Sequence, residues 1–370
     1  MRNFKIEFTH SDFTLLKQRI SETRFPNFQQ AESWEMGTPV NVLKKVLKAW
    51  GDSFDMWKVQ ENYLNRFPQF ICNIDGVDIH FFHIKSSNPE ATPILMAHGW
   101  PDSFLRYSKT FPLLNEFDLI VPSIPGFGFG SLPVKGFVNN ADSAEIWHKL
   151  MTEVLDYKSY VATGGDMGRG ILSYIAAKHP DEIEGLLLTD VGFAGDIVTT
   201  PDEKLSPEWL HYKKAATEWM KHQGAYISIQ GTKPYSLGYG LCDSPSGMAG
   251  WLIEKFHDWS DWERFSLDDI LHNLTLYWMT GCAPSSITAY YGNTNTLPSL
   301  GHIQVPVGIA RFPYDILPVP KDWIEQHYKL IQFTEMPYGG HFTALEAPVP
   351  FANALKCFIK QLKSKITTAI

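Results

Sequence analysis

Apolar and polar positions along this 370-residue chain change their spacing three times. Up to about residue 68 the apolar positions recur at helical intervals. Phe13, Leu15, Leu16 and Ile20 predict a helix over Ser11 to Glu22, with Ser11 as its N-cap and Pro26 beyond its end. The run Val40 to Trp50 (VNVLKKVLKAW) is amphipathic, and Met56 to Arg66 predicts a third helix before Pro68. The period then shortens to two. Phe70 to Ile84 (FICNIDGVDIHFFHI) predicts a hairpin turning at Asp75-Gly76. Short continuous apolar runs follow at Pro93 to Ala97, Phe117 to Val121, Gly185 to Thr189 and Val305 to Ala310, and Leu330 to Glu335 is read as a further strand. Helical stretches at Ser143 to Leu155, Gly170 to Lys178 and Phe351 to Leu362 lie among them. Strands that are apolar on both faces and alternate with helices predict a mostly parallel sheet covered on both sides.

From about Phe193 to Thr296 the alternation stops, replaced by aromatic-rich helical segments such as Trp209 to His222 and Met248 to Phe256. A hundred residues interrupting a sheet pattern predict an inserted lid. The expected organisation is an α/β core over 69–192 and 297–370, a helical lid over 193–296, and a helical extension over 1–68 that packs across the sheet or around the lid.

Composition narrows the partners. A formal charge of -8 with no block of like charge argues against nucleic acid and anionic membrane surfaces. An aromatic share of 14% suits thick packing or an apolar pocket. Cys72, Cys242, Cys282 and Cys357 have no paired spacing, which predicts free buried thiols in a reducing compartment and neither a disulfide framework nor a metal site. The N-terminal run is broken by charges, so neither a signal peptide nor a membrane anchor is expected, and a cytoplasmic location fits.

The chemistry centres on Tyr160 to Gly170 (YVATGGDMGRG), where a β-prone run meets a small-residue turn carrying one polar side chain before a helix. Strand, tight turn and helix is the order of the nucleophile elbow of α/β-hydrolases. Here the elbow residue is Asp166. A carboxylate attacking an sp3 carbon becomes an ester whose carbonyl can still be hydrolysed, whereas a serine would be trapped as an ether. Partners for an elbow come from loops at the carboxyl edge of the sheet. His341, in Tyr338-Gly339-Gly340-His341-Phe342 after the last strand, falls where a base belongs in the order nucleophile, acid, base. Asp315 and Asp190 each follow a neighbouring strand; Asp315 is preferred as the acid. The backbone N–H groups of Trp100, in His98-Gly99-Trp100-Pro101, and of Met167 are candidates for an oxyanion hole, about 3 kcal/mol per donor.

Taken together, Asn62 to Ile79, His98-Gly99-Trp100-Pro101, Gly164-Gly165-Asp166-Met167-Gly168, Gly231 to Phe256 and Gly339-Gly340-His341-Phe342 resemble the microsomal-type epoxide hydrolases with an N-terminal helical extension, across nearly the whole chain. The resemblance implies an α/β-hydrolase fold, a small apolar epoxide as substrate and no metal or organic cofactor, and it leaves a homodimer open. Animal members begin with a membrane anchor, which this sequence lacks, so the soluble fungal or bacterial members are the nearer likeness. Two positions depart from the family pattern: Met167 replaces a Trp, and Asp315 stands where a Glu can occur. The resemblance also identifies two lid tyrosines, Tyr226 and Tyr290, with Tyr291, Tyr235 and Tyr239 as rivals. Phenols with an ordinary pKa near 10 can hold an epoxide oxygen and donate a proton as alkoxide charge develops. Haloalkane dehalogenases share the Asp and His chemistry, but a halide calls for donors such as indole N–H groups, and Met167 removes one. A non-catalytic ligand-binding homologue is the third reading. The aromatic lid residues, with Phe127 and Phe129, predict an apolar pocket.

Overall fold

A computed structural model describes residues 1–27 and 32–368. Nine strands form one sheet: β1 Arg2–Phe4, β2 Gln69–Ile74, β3 Val77–Ile84, β4 Pro93–Ala97, β5 Asp118–Pro122, β6 Tyr160–Gly164, β7 Ile183–Leu188, β8 Ile303–Arg311 and β9 Tyr328–Glu335. Their spatial order is β1-β2-β3-β5-β4-β6-β7-β8-β9. Neighbours from β5 to β9 run parallel, while β1, β2 and β3 form an antiparallel wing joined to β5. The hairpin turns at Asp75-Gly76, where both residues have positive φ (51° and 82°) as a two-residue hairpin turn requires.

Alternation along the central strands explains how one sheet serves two cores. Leu95 and Ala97 of β4 face one apolar cluster with Ile120, Ala162 and Leu188. Ile94 and Met96 face the other, with Leu119, Val161 and Leu187, under the closing helix Pro348–Thr368. With both faces dry, these strands show no polar alternation, which is why they read as continuous apolar runs.

The N-terminal segment differs from the expectation in two ways. Three residues, Arg2–Phe4, add an edge strand against β2, a segment too short to show a period. The first helix, His10–Ser21, is capped by Thr9 and not by Ser11: the Thr9 hydroxyl accepts from the Asp12 N–H while the Asp12 carboxylate accepts from the Thr9 N–H. The helices Val40–Lys48 and Met56–Val59 each continue into a wider turn, to Ser53 and Leu64. Between β7 and β8 the backbone is helical, with Pro207–His222, Ala225–Thr232, Pro234–Asp243, Pro245–Asp258, Leu267–Thr280 and Thr288–Thr296 as its longer members. None of the four cysteines is paired, but Cys242 and Cys357 are exposed, so only Cys72 and Cys282 are the buried thiols expected. No helix among the described residues is long and apolar enough to cross a membrane.

Candidate active site

β6 ends at Gly164 and the next helix, Asp166–Lys178, begins two residues later with Asp166 itself. The turn is sharp enough to force Asp166 to φ 54°, a region costly for a residue with a β-carbon. Its backbone N–H donates to Asp190 Oδ2 at 2.6 Å, and Asp190 Oδ1 accepts from Gly192 at 3.0 Å. Asp190 therefore holds the elbow backbone, while its rival meets the histidine: His341 Nδ1 lies 2.7 Å from Asp315 Oδ1. His341 Nε2 lies 3.2 Å from Asp166 Oδ2.

The neighbouring loops leave no spare volume. A β-carbon at Gly99 would collide with the Asp166 side chain, and one at Gly168 would sit 2.6 Å from the carbonyl oxygens of Ala97 and His98. The missing side chain at Gly99 lets the Trp100 N–H reach Asp166 Oδ1 at 2.8 Å. The Met167 N–H also acts on that carboxylate. Burial works to raise the Asp166 pKa, but the hydrogen bond and charge of His341, followed by the Trp100 and Met167 N–H groups, bring it down to about 2. For His341, burial favours the neutral ring, yet Asp315 and Asp166 together hold its pKa well above the ordinary histidine range.

Tyr226 and Tyr290 come from two separate helices of the segment between β7 and β8. Their rings meet edge to face at 5.7 Å, and Trp100 packs against both at 5.6 Å. Burial raises both phenol pKa values, and the Asp166 carboxylate pushes them further in the same direction. Asp166, Asp315, His341, Tyr226, Tyr290 and Met167 all line one cavity of about 500 Å³. Its apolar wall includes Phe193, Trp219, Met220, Ile227 and Leu317. Tyr291 instead lines a different cavity beside Phe137, and Tyr235 and Tyr239 are exposed. Trp100 is fully buried and contributes no wall.

Phe127 and Phe129 do not line this cavity, contrary to expectation. Phe127 is buried against His98, and Phe129 packs on Phe4, Phe8 and His80. The turn that carries them has positive φ at Gly126 and Gly128, a reversal that residue type alone does not disclose.

Other residues around the site escape sequence reading because they act on backbone. Glu346 accepts N–H groups from Gly340 and Phe342, on either side of His341, at 2.8 Å each, and from Asp261 at 2.7 Å. Burial, opposed by those three bonds, raises its pKa to about 7. Asp102 accepts from Gly99 and pairs with buried Arg106, whose Nη2 donates to the His341 carbonyl at 3.1 Å. The signal available was a carboxylate five residues past the Gly-Gly-His. Away from the cavity, near the other end of the elbow helix, His148, His179 and Glu182 bring candidate ligand atoms within 4.8 Å of one another, a grouping that their spacing in sequence does not announce.

Comparison with known proteins bears on the fold and the family. Residues 1–107 match the family model described as epoxide hydrolase N terminus, and residues 92–225 match that of the alpha/beta hydrolase fold. A Stigmatella aurantiaca relative is 38% identical, covering 98% of this chain and 85% of its own. Epoxide hydrolase 1 of Sus scrofa is 33% identical, covering 99% of this chain and 90% of its own. The solved epoxide hydrolase of Aspergillus niger superposes with a TM-score of 0.88 at 28% identity, covering 98% of this chain and 96% of the other. The chain belongs to the epoxide hydrolase family, on the α/β-hydrolase fold.

Proposed function

We propose that the chain opens an apolar epoxide by attack of Asp166 and hydrolyses the resulting ester to a vicinal diol. The observation that carries this reading is the shared cavity: an ionised carboxylate on one side, two phenols on the other, and a His341–Asp315 pair touching the carboxylate. In the first step Asp166 Oδ attacks a ring carbon, the C–O bond breaks, and Tyr226 and Tyr290 hold the oxygen and supply its proton. Esterification removes the negative charge facing His341 Nε2. That loss lowers the histidine pKa, so the ring becomes a base at the stage that needs one. His341, oriented by Asp315, then takes a proton from water as the water attacks the Asp166 carbonyl carbon. Trp100 N–H already touches one carboxylate oxygen in the resting site, and with Met167 it would hold the oxyanion.

The division into an extension over 1–68, a core over 69–192 and 297–370, and a lid over 193–296 belongs to this reading, with the lid bringing the phenols and the core the nucleophile. A homodimer is compatible with it, since every residue named comes from one chain. The unpaired cysteines favour a reducing compartment such as the cytoplasm. The test is His341→Gln with styrene oxide. Rapid ester formation should persist while diol release falls by about three orders of magnitude, so that a protein adduct accumulates and is seen by intact mass. Unchanged diol release, or a dead first step with no adduct, would contradict the assignment.

A further inference from the structure

Lys255 is 3% exposed, on the helix Pro245–Asp258. Among the described residues its ammonium has one carboxylate partner, Glu254 Oε1 at 2.6 Å, and aromatic faces lie around it. Nζ lies 4.7 Å from the Tyr226 ring centroid, 5.7 Å from that of Trp259 and 5.8 Å from that of Trp251. Burying a lysine costs several kcal/mol unless it is well paired, and an apolar residue with the same stem would fill this space more cheaply. The nearest of the three rings is that of Tyr226, which lines the nucleophile's cavity.

We propose that Lys255 is a positioning residue that acts through Tyr226, making its phenol a better acid as the epoxide oxygen takes on charge. This rests on the assignment of Tyr226 as a proton donor. A cation over a ring face is attracted to the ring's electron density. When Tyr226 gives up its proton, part of the phenolate charge spreads onto that ring, and the attraction grows. The stabilisation is therefore greater in the ring-opening transition state than at rest, which is what raises a rate. Glu254 works against it by its charge but keeps the ammonium paired. The titratable and charged groups facing Tyr226 are Asp166 from the elbow, Tyr290 from Thr288–Thr296, and Glu254 and Lys255 from Pro245–Asp258; His341 lies beyond Trp259.

The test measures single-turnover ester formation with styrene oxide, beside the separate rate of ester hydrolysis. Lys255→Met keeps the stem and removes the charge. It should slow ester formation about tenfold, with hydrolysis of the ester unchanged. Lys255→Arg, which restores a cation, should recover most of the rate. If Lys255→Met does not fold, Glu254→Gln serves instead and should speed ester formation, an unchanged rate overturning the inference. A folded Lys255→Met with wild-type ester formation would overturn the inference, as would equal slowing of both steps with no rescue by arginine. Tyr226→Phe separates the two levels: if it forms ester at the wild-type rate, the underlying tyrosine assignment fails and the inference with it. If it is slow while Lys255→Met is not, only the inference fails.

Discussion

The two sides of the cavity are built by different means. On the sheet side each candidate residue is fixed through backbone: Asp166 by its N–H on Asp190, the His341 loop by Glu346 and Arg106, and Trp100 by the Asp102-bonded Gly99 loop. On the helical side Tyr226 and Tyr290 are held by ring contacts with Trp100, Trp259 and each other. Hydrogen-bonded loops define position to within tenths of an ångström but tolerate no added atom. Packed rings tolerate small changes and lose function mainly when the hydroxyl goes. The sheet side is therefore expected to fail steeply and the helical side gradually.

The largest effect should come from the tightest point. Gly99→Ala puts a methyl group where the Asp166 side chain sits, and ester formation should fall by about three orders of magnitude, because the nucleophile is displaced from its line of attack. Rapid-quench measurement of the adduct checks this, and a loss below tenfold would show that the loop yields. Next comes the helical side. Tyr290→Phe should slow ester formation about a hundredfold with little change in thermal stability, whereas Tyr291→Phe, in a separate cavity beside Phe137, should remain within about twofold. The reverse ranking would mean that the neighbour does the chemistry.

The smallest effect is one of pH. A depressed carboxyl pKa means that the charged form is favoured in the fold, an advantage lost only as pH falls through about 2. Ester formation should therefore stay level from pH 7 to pH 5, a range over which an ordinary aspartate also stays mostly ionised, and should hold its rate down to about pH 4, where an ordinary aspartate is half protonated. A fall in rate with a midpoint near the ordinary carboxylate pKa would show that the His341 and Trp100 contacts do not act on Asp166 in solution.

The same contrast decides what was legible in the chain itself. Sheet-side residues sit in loops packed too closely for a β-carbon, and such loops need glycine: Gly164-Gly165 before Asp166, Gly99 before Trp100 and Gly339-Gly340 before His341 mark them in the sequence. Parallel strands buried on both faces were equally plain as apolar runs. Tyr226 and Tyr290 carry no such mark, since a ring held by packing asks nothing special of its own backbone, and only likeness to a family picked them from 15 tyrosines. Phe127 and Phe129 misled for the same reason, because residue type says nothing about which way a turn aims a ring. Glu346 was hidden otherwise, and Asp190 stood out only as the rival acid: a carboxylate that accepts backbone N–H groups looks, in sequence, like any other acid. The edge strand Arg2–Phe4 and the Thr9 cap show the limit of periodicity over three or four residues.

The central claim is that an ester forms on Asp166 and that water attacks its carbonyl. A single turnover of styrene oxide in H2(18)O, with enzyme in excess, tests it directly: the account predicts (18)O in the Asp166 carboxylate, located by peptide mass, and an unlabelled diol. Label in the diol with none in Asp166 would mean that water opens the ring itself, and would contradict the account.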